Sequence, residues 1–178
     1  MAVSTTVLPP PSVVFELAER AVEFVRRSLE LTLDYTPETL PILDHYLTMV
    51  PRDQPDTVEL VAAAAGAYFG EVVRRALGGA WDISAPSVKD FRVRLPGDVT
   101  MSPIGFCAEA ILQSEVEGYD GSFEVPAAAR SLVEEALEEK EEVAAEEYYS
   151  LSGRLETLML VVDQVAATRS RAPESPDQ

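Results

Sequence analysis

Between Asp56 and the Gly78-Gly79 pair, the small residues Ala62, Ala63, Gly66, Ala67 and Gly70 recur at helical spacing, and this constrains the fold more than any other feature. Residues three and four apart share one face of a helix. A face with nothing larger than a methyl group lets a neighbouring backbone come close. The spacing therefore predicts a helix opened by Asp56 or Thr57, stopped by Gly78 and Gly79, and packed at short range against another element.

The elements on either side follow from period and punctuation. Pro9, Pro10 and Pro11 make residues 1–11 an extended lead-in. Val14, Leu17, Ala18, Ala21, Val25 and Leu29 then mark an amphipathic helix from Ser12 to about residue 28, with Glu16, Arg20, Glu23 and Arg27 as its charged stripe. Leu29, Leu31, Leu33 and Tyr35 alternate with polar residues, which predicts a half-buried strand over 30–35. Thr36 before Pro37 opens a helix to about residue 49, with Leu40, Leu43, Leu47 and Val50 at helical spacing. After the glycine pair, residues 81–84, 88–95 and 99–101 read as strands separated by Pro86 and by the turn Pro96-Gly97-Asp98, with 30–35 completing the set.

Beyond Pro103 the helical period returns with Phe106, Cys107, Ala110 and Ile111, and the segment GYDGS ends it. Pro126 opens a helical region over 126–168, as one helix or two, with Gly153 marking a break or kink near residue 150. The expected fold is α+β: one helix-rich domain over 12–168 with a short antiparallel sheet of three to four strands packed by helices. Residues 124–168 form its acidic helical region, and 169–178 form a disordered tail.

Charge narrows the function classes. Thirty-one acids against fourteen bases leave a net charge of −17, in a chain of 178 residues whose apolar content, 47%, is ordinary for a globular domain. Such a field repels nucleic acid and anionic membrane surfaces and attracts basic partners. Cys107 is alone, so no disulfide forms within the chain. With no basic-then-apolar leader and no apolar stretch long enough to span a bilayer, the expected compartment is the cytoplasm. The excess of Arg over Lys, with abundant Ala, Val and Glu, points to a bacterial source.

Most carriers of chemistry are missing. The one imidazole, His45, follows Asp44 directly, and adjacent helical residues point apart, so the two make no dyad. Cys107 lies among Ile104, Phe106, Ala108 and Ile111, where a thiol is buried and inert. One Cys and one His cannot build a zinc site. Glu115, Glu117, Asp120 and Glu124 flank a glycine-containing loop but lack EF-hand spacing and read as a solvated turn. Neither GxGxxG nor GxxxxGK[ST] occurs, so no metal and no cofactor is expected.

The weak candidate for catalysis is Glu71, three and four residues before Arg74 and Arg75. In so apolar a helix it is either an acid with a raised pKa or an anchor for the Arg side chains and the following turn, and the lack of a second carboxylate or His nearby favours the anchor. The run LTLDYTPETLPILDHYL, then GAYFGEVVRRALGGAW, then a strand-turn-strand before a Pro-initiated helix, resembles bacterial domains of unknown function that carry Tyr-x-Gly-Glu before Gly-x-Trp. The resemblance spans residues 12–118. It implies an α+β domain with Tyr68, Gly70, Glu71 and Trp81 as signature positions, and no established activity.

By elimination and charge, the expected role is protein–protein binding by an acidic adaptor or immunity-like protein rather than catalysis. Glu134, Glu135, Glu138, Glu139, Glu141, Glu142, Glu146 and Glu147 have only Arg130 and Lys140 nearby. They read as a solvated face or as an electrostatic docking surface for a basic protein, with Glu135, Glu138, Glu139 and Glu142 as its candidates. Two rivals remain. One is an enzyme using Glu71 near Tyr68 and Trp81; the other is a homodimer through Leu151, Leu155, Leu158 and Val162, a seam otherwise spent on packing against the sheet.

Overall fold

The computed structural model of the chain describes residues 8–140 and 142–171. Residues 1–7 of the lead-in, Glu141 of the acidic run and residues 172–178 of the tail lie outside the described residues. The fold is α+β, and among the described residues it has seven α-helices and one antiparallel sheet of four strands.

Its centre is α3 (Pro55–Leu77), the helix with the small face. Every residue from Ala64 to Arg74 is buried, so this stretch of the helix is enclosed on all sides, with α1 (Ser12–Leu29) and α4 (Pro103–Leu112) as its main neighbours. Gly66 is where α4 comes closest: a Cβ there would overlap the backbone and side chain of Ile104. α1 buries Val14, Ala18, Ala21 and Val25 and leaves Glu23 outside, paired with Arg26 and Arg27.

The expected strand over 30–35 is absent. α1 ends at Glu30 in the left-handed conformation, and residues 31–34 run as an irregular connection with Leu33 buried and Leu31 exposed. Alternation reports an extended chain with one buried side; a strand also needs a ladder partner, and the sheet lies elsewhere. Pro37 and Thr39 form a 3-10 turn before α2 (Leu40–Thr48), and Thr36 makes no side-chain cap. Asp34 organises the turn instead, its Oδ1 accepting from the Thr36 amide at 3.0 Å and from the Thr36 hydroxyl at 2.6 Å.

The sheet is a meander of β1 (Ala80–Asp82), β2 (Arg92–Leu95), β3 (Val99–Met101) and β4 (Phe123–Glu124), in that order. The pairs Val93↔Met101 and Leu95↔Val99 share the buried face, joined by the Pro96-Gly97-Asp98 turn, where Gly97 has φ 83°. Residues 88–90, expected as strand, form a 3-10 turn. The fourth strand is β4 rather than 30–35.

The acidic region divides into α5 (Arg130–Glu138), α6 (Ala145–Tyr148) and α7 (Leu151–Arg171). α7 therefore continues three residues past 168. Its start is capped from two sides. Ser150 Oγ accepts from the Gly153 amide at 3.0 Å, and the Asp44 carboxylate of α2 accepts from the amides of Leu151 at 2.6 Å and Ser152 at 3.2 Å. Three amides that a helix leaves free at its first turn are thus satisfied, one of them within the chain's own cap and two from a distant helix.

Leu151, Leu155 and Leu158 face the chain's own core and Val162 is half-buried, so the seam proposed for a dimer is largely occupied. It packs mainly against α2, α4 and α5 rather than the sheet, and α7 meets the β2–β3 turn where Gly97 lies against Val165 and where Arg169 pairs with Asp98 at 2.6 Å.

Candidate functional site

Glu71 sits on the last third of α3, 1% exposed, with four donors on its carboxylate. Arg74 holds it with a fork, Nε to Oε2 at 2.9 Å and Nη2 to Oε1 at 2.6 Å. Arg75 Nε donates to Oε1 at 2.9 Å, and Trp81 Nε1 of β1 donates to Oε2 at 3.1 Å. Burial pushes the Glu71 carboxyl up, but the bonds from Arg74, Trp81 and Arg75 outweigh it and hold the group below its ordinary value.

The helix makes this possible through spacing. Arg74 and Arg75 lie one turn after Glu71, and Gly78 and Gly79, both with positive φ, turn the chain into β1 so that Trp81 comes back over α3. Gly70 leaves the room: a Cβ there would overlap the Trp81 ring. Gly70, Glu71 and Trp81 thus form one packed unit.

Tyr68 belongs to the same assembly one step away. Its hydroxyl accepts from the Tyr35 amide at 2.9 Å and lies 2.9 Å from Thr39 Oγ1, tying α3 to the connection between α1 and α2. The Tyr35 and Tyr68 rings are 4.8 Å apart, and the Arg75 guanidinium lies 4.4 Å from the Tyr35 ring centroid. Tyr35 in turn donates its hydroxyl to Glu19 of α1 at 2.5 Å. Arg74 also reaches the lead-in, donating to the Leu8 carbonyl at 2.7 Å.

This arrangement joins α1, α3, β1 and the chain before α1 around a single carboxylate. Four donors occupy the acceptor sites of Glu71, so none is left free to receive a proton from a substrate. The neighbouring cleft of about 640 Å3 is lined by Leu8, the three prolines and residues 74–81, and Glu71 is not part of its lining. The geometry is that of an anchor.

A second buried pair was not singled out from sequence. Glu109 of α4 is 5% exposed and accepts from Arg154 Nη2 of α7 at 2.9 Å. Burial pushes the Glu109 carboxyl up; Arg154 pulls it down, while Glu115 and Asp120 add to the rise. Arg154 is enclosed by aromatic rings, 4.7 Å from the centroids of both Phe106 and Tyr148. The sequence signal for Glu109 was its being the one charged residue in the apolar helix PIGFCAEAIL. Its partner, forty-five positions away, had no local signature.

The remaining candidates are scattered. His45 is exposed on α2, while its neighbour Asp44 is spent on capping α7. Cys107 is fully buried, and its desolvation pushes the thiol well above its ordinary value. No group of three or more His, Cys, Asp or Glu among the described residues is placed to hold a metal ion. Asp120 of the acidic loop pairs instead with Arg92 at 2.8 Å.

The acidic face is the other coherent feature. Glu134, Glu135, Glu138, Glu139, Glu142, Glu146 and Glu147 are all exposed, and among the described residues none forms an ion pair. Lys140, in their midst, donates to Thr157 Oγ1 at 3.1 Å rather than to a carboxylate. Exposed among them are two large apolar side chains, Val143 at 47% and Tyr148 at 54%.

Comparison with protein-family models, with curated proteins and with solved structures finds no match to this chain. No helix among the described residues is long and apolar enough to cross a membrane.

Proposed function

We propose that this chain is a protein–protein binding module, an acidic adaptor or immunity-like protein of a bacterial cytoplasm, whose C-terminal face docks on a basic protein such as a nuclease. The observation that carries the reading is the set of exposed glutamates Glu134, Glu135, Glu138, Glu139, Glu142, Glu146 and Glu147, none of them in an ion pair among the described residues. Elsewhere, the half-buried acids Glu23 and Asp82 are matched by Arg residues on the same element or the next strand, and exposed acids such as Glu16 and Glu59 stand apart along the sequence rather than in one run. On this face the repulsion is left standing, a cost that a basic partner removes on binding.

The test is affinity capture at low and high salt, with the chain carrying Glu135→Lys, Glu138→Lys, Glu139→Lys and Glu142→Lys as the control. The expected result is one identified basic protein, held at low salt, released at high salt and not held by the reversed chain. Association between the two purified proteins must reproduce the salt dependence. Binding that is indifferent to salt and to charge reversal overturns the proposal.

A further inference from the structure

α5 and α7 pack on each other, and beside their contact lies a cleft on the acidic face. Its volume is about 570 Å3; its apolar lining includes Phe123, Leu137, Val143 and Tyr148, its acids are Glu142, Glu147 and Glu156, and its two cations are Lys140 and Arg154, the latter already paired with Glu109. Lys140, bonded to Thr157, ties the end of α5 to α7. Gly153 shapes the side near α6, since a Cβ there would press on the Glu147 carbonyl.

We infer that this cleft is a docking groove for a basic amphipathic helix of a protein partner. One apolar residue of that helix seats among Leu137, Val143 and Tyr148, and its Lys or Arg residues face Glu142, Glu147 and Glu156. The inference rests on the acidic-module reading above and adds to it the shape of the partner and an apolar anchor.

Charge complementarity selects the occupant. Exposed apolar side chains inside a field this negative reject nucleic acid and anionic lipid, and a bare cation would leave Val143 and Tyr148 in water. A cationic segment with an apolar ridge satisfies both. Leu137 of α5 and residues 153–157 of α7 put helices on two sides of the cleft, the setting in which a helix lays its ridge into a groove. β4, the nearby edge strand, has two residues and is too short to guide a strand.

The experiment is fluorescence polarisation with two labelled synthetic peptides of about four helical turns each. One has leucines along one face and lysines on the other; the second has the same lysines with each leucine replaced by glutamine. The chain should bind the first at least about tenfold more tightly, a difference of about 1.4 kcal/mol. The double variant Val143→Ser, Tyr148→Ser should abolish that preference; both residues are exposed, and circular dichroism checks that the fold is kept. Glu142→Lys with Glu147→Lys and Glu156→Lys should weaken both peptides.

Equal, salt-sensitive binding of the two peptides overturns the groove and leaves the electrostatic module standing. A preference that survives Val143→Ser, Tyr148→Ser places the anchor elsewhere and also overturns it. Binding of neither peptide overturns the groove, while the charge reading is decided separately by the capture experiment.

Discussion

The Trp81 indole donates to Glu71 at 3.1 Å, closing the fourth acceptor position of a carboxylate already held by Arg74 and Arg75. That bond crosses from β1 to α3 through the space left by Gly70. It makes the Tyr-x-Gly-Glu and Gly-x-Trp segments two halves of one structural joint.

Gly70→Ala tests the joint by volume alone. The added methyl has to displace the Trp81 ring, and overpacking of this kind costs about 1–3 kcal/mol. Trp81 is the single tryptophan, so its fluorescence reports the site directly. Denaturant unfolding followed at that signal should show a lower midpoint and a shifted native emission; an unchanged spectrum would mean that the ring does not rest on Gly70.

Glu71 and Glu109 should act oppositely on stability as pH falls. Glu71 has a lowered pKa in the fold, so its contribution is present above the carboxylate's unfolded value and lost as pH drops through the folded one. Glu109 has a raised pKa, so its ionisation costs stability as pH rises from the unfolded value through the folded one. Glu71→Gln should therefore flatten acid destabilisation, and Glu109→Gln should steepen it. Glu71→Ala, which leaves the buried Arg74 unpaired, should cost about 3–5 kcal/mol. Urea midpoints measured across the acid range separate the two carboxylates.

Asp44→Ala removes the distant cap of α7 while leaving α2 its helix propensity. The loss should be about 1–2 kcal/mol. Hydrogen exchange at the Leu151 and Ser152 amides should accelerate more than exchange in the middle of α7. Uniform acceleration along the helix would show that the cap acts globally rather than at its own end.

Cys107 provides a check on the absence of a thiol nucleophile. A buried thiol with a raised pKa should not react with a water-soluble disulfide reagent in the native chain, and should react fully in denaturant. Native reactivity at a rate near that of a free thiol would contradict the burial.

Much of this fold was legible one segment at a time. The small face on α3, the Pro-initiated α4, the Pro96-Gly97-Asp98 turn and the break before α7 all express local rules, because helix period, proline geometry and positive φ depend on a few consecutive residues. Net charge, likewise, belongs to the sequence alone and sets the sign of the field around the chain.

What only the tertiary structure decided are relationships between distant residues. Residues 30–35 alternate as a strand does, yet no neighbour offers them a ladder, whereas Phe123 and Glu124, with no comparable pattern, find one on β3. Arg154 meets Glu109, and Asp44 caps a helix more than one hundred residues away, by the same logic. Periodicity tells a residue which side it turns inward; the partner waiting there is set by how all the elements pack together.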